Sequence, residues 1–444
     1  MLNNKSSIIN TDKVHFEALY PKETRFSEIE KIITFIKEGK SCQVIGLPGV
    51  GRSNLFGLLS FNRFVRGEHL GENQKWFHFI YANFSEVKGR SLLDVNKFFF
   101  LSLVTSLRER KMDKEHKKVQ EIFKEHIKLN DELVLFQGLK EAVDYLAIDK
   151  ELTIVFLIDR FEEYIHDVGN EFFANLRILR NRAKYRFSAI FSLNRPLDLL
   201  LDPTVFAQFY EFVAGNIVYL SISDPVGLAF RISYIEKVMG KKLDKEIIDE
   251  VLKLTGGHGK LTRVSLENIT TEQNQNNLSD FLMKNKNIQA TFLEIWQELT
   301  PSEQKSITND AVGEEYLEKT GLIINNKITI PLLKEYASKK PSTEKEKFKF
   351  NESANQITKA ESIISENLTL LEFKLLKFFI QNAGKILERD EIVENVWQSL
   401  ASTEGVTDQA LDQLVSRVRK KIEENPKDPQ VILTIKGRGF KFEN

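Results

Sequence analysis

Apolar positions in the first half of the chain alternate between two periods. "FSEIEKIITFIKEG" (Phe26 to Gly39) spaces its apolar residues three or four apart and stops at a glycine, which predicts an amphipathic helix. The short run "SCQVIG" that follows is strand-like, and "RSNLFGLLSFNRF" returns to the helical period after a glycine-rich turn. "WFHFIYANFS" (Trp76 to Ser85) predicts a second strand, and a stretch rich in Lys and Glu from Ser91 to Asp149 predicts helix. "LTIVFLID" (Leu152 to Asp159) is apolar without interruption, as a strand buried on both faces of a parallel sheet would be. "FSAIFSLNRP" (Phe187 to Pro196) and "NIVYLSISD" (Asn216 to Asp224) repeat that theme. Strands alternating with helices over residues 15–224 predict a doubly wound α/β domain with a parallel sheet.

After Asp224 the strand signal ends. Residues 225–286 keep a helical period interrupted by "TGGHGK" and predict a helical lid. Over 291–337, helices lead into "GLIINNKITIPLL", where two β-prone runs flank Asn325 and Asn326, the order of a small winged helix. "SKKPSTEKEK" (Ser338 to Lys347) has no apolar residue beyond its proline, so residues 338–345 are expected to be a linker. Residues 346–444 form a last unit of short strands, helices and a terminal hairpin.

Composition narrows the partners. The 63 Lys+Arg are matched by 63 Asp+Glu, so any polyanion must be held by a local patch. Cys42 is the single cysteine, which excludes an intrachain disulfide and a cysteine-based zinc site and suits a reducing compartment. "MLNNKSSIIN" lacks the apolar core of a signal peptide, and Leu152 to Ile158 is far shorter than the ~20 residues of a membrane span. A cytoplasmic protein with no membrane partner is expected.

The first candidate chemistry lies in "GLPGVGRSN" (Gly46 to Asn54), close to the phosphate-loop pattern G-x-x-x-x-G-K-[ST]. Gly46, Gly49 and Gly51 would let backbone amides turn toward a phosphate, with Asn54 beside them and a helix N-terminus behind. Ser53 stands where a Mg²⁺ ligand is needed, but Arg52 replaces the usual lysine. Its planar fork keeps the charge in a larger shape, so nucleotide binding survives the change more easily than catalysis. Asp159 ends an apolar strand, from which a carboxylate can hold Mg²⁺. Arg160 follows where a water-activating glutamate is common, leaving Glu162 and Glu163 as the candidate catalytic carboxylates. Asn194 and Arg195 end another strand, where a polar group could sense a γ-phosphate.

In that order, "GLPGVGRS", "LIDRFEEY", "FSLNRP" and "LKLTGGHGK" resemble the STAND branch of the AAA+-like P-loop signalling ATPases over residues 20–337. The resemblance implies a switch holding ATP or ADP with Mg²⁺ between sheet and lid. It makes Arg195 a γ-phosphate sensor and places His258 near the nucleotide or at the lid interface. Arg52 for lysine, and Gly259 where a proline is usual, depart from the pattern, so weak or absent hydrolysis is expected.

The second candidate chemistry is "GVTDQALDQLVSRVRKKIEE" (Gly405 to Glu424). Thr407 is a good N-cap, and Leu411, Leu414, Val415, Val418 and Ile422 recur at helical spacing as one buried face. The opposite face carries Gln409, Asp412, Gln413, Ser416, Arg417 and Lys420, with Arg419 and Lys421 beside it. Such a stripe suits a major groove, where Arg reads guanine and Gln reads adenine. In the following hairpin, Lys436 and Arg438 sit at a glycine-flanked tip suited to phosphates or a minor groove. Residues 417–441 hold 8 Lys+Arg against 3 Asp+Glu, although 366–444 as a whole are net −1.

"LTLLEFKLLKFFIQNAGKILERDEIVENVW", the tail from Ser416 to Phe442 and "FKFNESANQITKAESIIS" resemble an OmpR/PhoB-type winged helix over 346–444. That resemblance implies recognition-helix arginines at Arg417 and Arg419 and a phosphate-contacting threonine at Thr434. Lys436 then replaces the usual wing arginine, and Gln409 and Leu414 differ from common family residues, so no DNA sequence carries over. Nothing resembles the receiver domain that usually precedes this family's winged helix. The combined expectation is a transcriptional regulator in which an ATP/ADP switch gates binding to double-stranded DNA. Its further partners would be other copies of the chain and an unidentified protein or small-molecule trigger. The alternatives are a STAND-type defence or signalling sensor that docks through its winged helix, and a DNA-dependent ATPase or initiator.

Overall fold

The computed structural model describes residues 15–269, 278–309, 314–339, 348–352, 354–359, 362–397, 407–423, 425–426, 429–435 and 437–443. The chain divides into two compact units, Met1–Ala337 and Ser338–Asn444.

In the first unit, β1 (Cys42–Ile45), β2 (Phe77–Asn83), β3 (Thr153–Asp159), β4 (Phe187–Leu193) and β5 (Ile217–Tyr219) form one sheet. Their order is β2-β3-β4-β1-β5, and all neighbours run parallel. The uninterrupted apolar runs became the inner strands: β4 is buried at every position and β3 at all but its first. The edge strand β2 is half-buried at every position that is not buried. Helices cover the sheet because parallel strands need long crossovers. α1 (Phe26–Lys37) buries Ile29, Ile32, Ile33 and Ile36, one stripe at helical spacing. α2 (Arg52–Phe61) leaves the glycine loop after β1, and α3 (Arg63–Leu70) follows, capped by Asn62. The Lys- and Glu-rich stretch forms α4 (Leu92–Glu109), α5 (Asp113–His126) and α6 (Glu132–Asp144). α7 (Asn170–Arg182) links β3 to β4, and the one-turn helices α8 (Leu197–Leu200) and α9 (Pro203–Phe206) precede β5. A five-stranded parallel sheet in this order, with a glycine loop after β1 and an acid ending β3, is a P-loop ATPase fold.

The same apolar core continues through the rest of the unit. α10 (Pro225–Met239), α11 (Lys245–Thr255) and α12 (Gly259–Asn268) come first, then α13 (Leu278–Lys284), α14 (Lys286–Gln297), α15 (Pro301–Asn309) and α16 (Glu315–Lys319). A hairpin of β6 (Ile323–Ile324) and β7 (Lys327–Ile328) turns at Asn325 and Asn326, both left-handed as a tight two-residue turn requires, and α17 (Pro331–Lys339) follows.

The second unit opens with the antiparallel strands β8 (Phe348–Asn351), β9 (Gln356–Lys359) and β10 (Ser362–Ile363). α18 (Leu370–Gln381), β11 (Ile386–Leu387), α19 (Arg389–Trp397) and α20 (Asp408–Ile422) follow, and β12 (Ile432–Ile435) pairs with β13 (Gly439–Phe442). Thr407 caps α20, which buries Leu411, Leu414, Val415, Val418 and Ile422 against α18, α19 and the hairpin. Glu423, just past α20, accepts hydrogen bonds from the amides of Gln430, Val431 and Ile432 and so fixes where β12 starts. Among the described residues, no helix is long and apolar enough to cross a membrane.

Glu423→Ala strands the buried amides of Val431 and Ile432 at the start of β12, at a cost of about 2 kcal/mol. Amide hydrogen exchange should then speed up roughly 30-fold across β12 and β13, since 1.4 kcal/mol is about tenfold. Unchanged protection would show that the hairpin is held in place without this carboxylate.

Candidate nucleotide site and nucleic-acid interface

The glycine loop is shaped by close approaches at Gly46 and Gly49. A side chain at Gly46 would come within 2.9 Å of Val50, and one at Gly49 within 2.8 Å of the His258 ring. Gly49 and Gly51 both have positive φ, at +83° and +106°. The loop's carbonyls face the neighbouring elements and are bonded in succession. Pro48 accepts from His258 Nε2 at 2.9 Å, Gly49 from the Lys260 amide at 3.0 Å and Val50 from Arg25 Nη2 at 2.8 Å. On the amide side, Gly46 donates to the Leu193 carbonyl and Val50 to that of Leu47, and no side chain caps α2 at Gly51.

His258 is completely buried, and both ring nitrogens are committed. Nδ1 accepts from the Leu261 amide and caps α12, so Nε2 carries the proton given to Pro48. Burial pushes its pKa down to about 4, which keeps the ring neutral. Arg25 is a buried hub, reaching the Ser221 carbonyl and Glu28 as well as the loop. A cavity of about 280 Å³ lies between the loop, α10 and α12, lined by Tyr20, Gly49, Gly51, Asn54, Arg231 and Arg263, among others. Ser53 instead borders a second, larger cavity, and Asn54 and Arg231 border both.

At the carboxyl ends of β3 and β4 the charged residues are already paired. Arg52 donates to Glu162 at 2.8 Å, while Nη1 of Arg52 and Oε2 of Glu162 are buried without a partner. Asp159 accepts from the Tyr81 hydroxyl at 2.7 Å and the Arg160 amide at 3.0 Å. Glu163 receives Ser85 and Arg160. Arg195 grips Glu303 with both terminal nitrogens, donates to the Glu298 carbonyl at 2.6 Å and stacks 3.7 Å from the Tyr316 ring. Tyr316 donates to the Asn194 carbonyl at 2.9 Å, and Asn194 Oδ1 is a buried oxygen without a partner. Burial, with Glu162 nearby, pushes the Glu298 carboxyl above its ordinary range. The structure therefore joins Arg52 to Glu162, Asp159 to Tyr81, His258 to the loop, and Arg195 to the segment carrying α14 and α15. Sequence reasoning missed Arg25, Glu298 and Glu303, since nothing in local periodicity marks a partner a hundred residues away.

In the second unit, Gln409, Asp412, Gln413, Ser416, Arg417 and Lys420 are exposed on one face of α20. Asp412 is held by Arg389 of α19 at 2.8 Å. Arg419 is half-buried and turns to the hairpin, donating to the Ile432 carbonyl at 2.9 Å and to Thr434 Oγ1 at 2.8 Å. Lys421 turns away to Glu372 and the Asn367 carbonyl. Among the described residues, Arg417 and Lys420 make no ion pair. Arg438 is exposed at the hairpin turn, and Lys436 lies outside the described residues.

Residues 365–442 match the family model described as "Transcriptional regulatory protein, C terminal". The second unit is an OmpR/PhoB-type winged helix. The sensory transduction protein RegX3 of Mycolicibacterium smegmatis is 41% identical over 76 residues, 17% of this chain and 32% of that protein. The chain thus spans about a third of the length of the curated relatives it matches. The crystal structure of the Klebsiella pneumoniae RstA DNA-binding domain with the RstA box has 25% identity, covering 22% of this chain and 91% of that one, with a TM-score of 0.19. A Walker-type ATPase of Pyrococcus abyssi has 15% identity, covering 73% of this chain and 97% of that one, with a TM-score of 0.43. In the winged helix, α20 occupies the recognition-helix position and β12–β13 the wing.

The clamp on the glycine loop predicts an acid-sensitive first unit. The unfolded chain protonates His258 near its ordinary value of 6.5, whereas the folded ring resists to about 4. Stability is therefore lost as pH falls through that window, by up to about 1.4 kcal/mol per pH unit from this residue. Urea unfolding of His258→Ala at pH 7 and pH 5 should show lower stability at pH 7, by about 2 kcal/mol, and a shallower decline to pH 5. An unchanged pH dependence would mean that the ring titrates normally.

Proposed function

We propose that the chain is a transcriptional regulator whose first unit binds ATP or ADP with Mg²⁺ and thereby controls DNA binding by its winged helix. The observation that carries this reading is the set of hydrogen bonds tying the phosphate loop to α12 and to Arg25. A loop bonded this way cannot change shape without disturbing the helices that follow the sheet.

Gly49, Gly51 and the open first turn of α2 supply amides for phosphates, whereas the Gly46 amide is spent on the Leu193 carbonyl, and the cavity beside Tyr20, Asn54 and Arg263 can take the remainder of a nucleotide. Ser53 and Asp159 are the Mg²⁺-holding pair, with Asp159 giving up Tyr81 or the Arg160 amide. Bound Mg²⁺ would supply charge neutralisation between phosphates. Arg195 would be the sensor, exchanging Glu303 for a γ-phosphate and so giving up its contacts with the Glu298 carbonyl and the Tyr316 ring. Arg52 likewise exchanges Glu162. Glu162 and Glu163 are both engaged by cations, which supports slow or absent hydrolysis. On the winged helix, Arg417, Lys420, Gln409, Gln413 and Ser416 face bases and phosphates. Arg419 and Thr434 brace the wing, where Arg438 and Lys436 reach the backbone. Asp412 orients Arg389 rather than touching DNA.

Two variants of the full chain test this reading. Glu303→Gln should raise affinity for a fluorescent ATP analogue relative to the ADP analogue by roughly tenfold, because Arg195 keeps a buried neutral partner but loses its competing charge. An unchanged ATP-to-ADP ratio would contradict the sensor role. Arg417→Ala should weaken binding to duplex DNA roughly tenfold in fluorescence anisotropy while sparing nucleotide binding. Equal DNA affinity would remove α20 from the interface.

A further inference from the structure

The larger cavity, about 1300 Å³, lies between α2, α3, α4 and β2, with Ser53, Asn54 and Tyr81 at its border toward the glycine loop and Asp159. Its walls include Phe61, Phe79, Phe98 and Leu101, and Phe64 and Leu101 are exposed at 57% and 47%. An apolar hollow of this size is a common shape for a ligand site.

Its polar lining is unusual. Arg66 is only 7% exposed, yet its Nη1 finds just the Leu59 and Ser60 carbonyls, at 2.8 and 2.7 Å. Its Nε and the hydroxyl of Ser60, a residue equally buried, have no partner at all. Arg110, also lining the cavity, donates to the Phe77 carbonyl and to Nδ1 of His78. His78 is neutral, since its Nε2 must then donate to Ser106, which itself donates to the Leu103 carbonyl. Two neighbouring guanidiniums therefore share a low-polarity region, and among the described residues neither has a carboxylate partner. Burial pulls Arg66 down to about 9 and lowers Arg110 as well. Glu17, Glu86 and Glu109 border the cavity without pairing with either arginine, and Glu109 lies 4.0 Å from His15. Arg66 is buried and Arg110 half-buried; a buried cation without a counter-ion is costly, and an anion supplied from solution would offset that cost.

We propose that this cavity binds an organic anion with an apolar body, its acidic head meeting Arg66 and Arg110 and its body lying against Phe61, Phe79, Phe98 and Leu101. Ser53, Asn54, Gly57 and Ser60 put one wall of the site on α2, the helix that begins at the phosphate loop. The occupant thus bears on that helix from the side opposite the loop's carbonyl clamp. The site borders the proposed nucleotide site, sharing Asn54 and Arg231 with the smaller cavity, but the anion's head is placed on Arg66 and Arg110, which do not line that smaller cavity.

The test is a fluorescence titration of the full chain with 8-anilinonaphthalene-1-sulfonate, an apolar aromatic anion. The uncharged N-phenyl-1-naphthylamine is the control, and thermal melting checks the fold of each variant. One saturable site is expected, weakened roughly tenfold or more by Arg110→Gln, in keeping with loss of a charge-assisted hydrogen bond. Ser102→Trp, which fills the cavity from its α4 wall without removing a charge, should also abolish binding, and the uncharged analogue should bind more weakly than the sulfonate. ADP should leave the probe in place. Absence of saturable binding, indifference to both folded variants, or displacement of the probe by ADP would each overturn the assignment.

Discussion

Three consecutive backbone carbonyls, those of Pro48, Gly49 and Val50, are held by His258, Lys260 and Arg25. Much of the first unit depends on that contact. It needs Gly49, because any side chain there would strike His258 and Lys260. It needs a neutral histidine, because one ring nitrogen must accept from the start of α12 while the other donates to the loop. It also explains why a buried arginine sits between α1 and the loop, in a left-handed conformation unusual for that residue. The amides of Gly46 and Val50 are bonded to the Leu193 and Leu47 carbonyls, so the carbonyl clamp fixes the loop around the Gly49 and Gly51 amides.

The strand ends add a second constraint. Arg52 and Arg195 share their surroundings with Glu162, Glu298 and Glu303, so acids outnumber bases where a phosphate loop ordinarily meets its anion. Arg195 and Glu303 are both nearly buried, and such pairs are expensive to open unless another anion replaces the carboxylate. This makes the arrangement selective as well as stable. A substitution of lysine by arginine at position 52 fits the same picture: the longer fork reaches Glu162, which a water-activating carboxylate would have to leave free.

The sequence foretold the parts that depend on local pattern. Continuous apolar runs gave β3 and β4, glycine spacing gave the loop, and the Leu411–Leu414–Val418 stripe gave the buried face of α20. The doubly wound sheet followed from those signals, whereas the OmpR/PhoB-type winged helix was read from the resemblance of its motifs to that family. Side-chain partners were not legible in the same way. Arg195 meets Glu303 across 108 positions and Arg52 meets Glu162 across 110, and neither separation leaves a trace in hydropathy. Asp412 looks like one more polar residue on the exposed face of α20 until Arg389 is seen to hold it. Arg66 and Arg110 were invisible for a related reason: they look like any surface arginine in or beside a helix, and only packing shows that Arg66 is buried and Arg110 half-buried.

The central claim is that the state of the phosphate loop governs what the winged helix does on DNA. It is tested most directly by selecting duplexes from a random-sequence pool with the full chain in the presence of ATP, of ADP and of neither. The account predicts that one sequence motif emerges and that its enrichment differs between ATP and ADP. The same motif at equal enrichment in all three selections would contradict it, leaving a DNA-binding winged helix uncoupled from the loop.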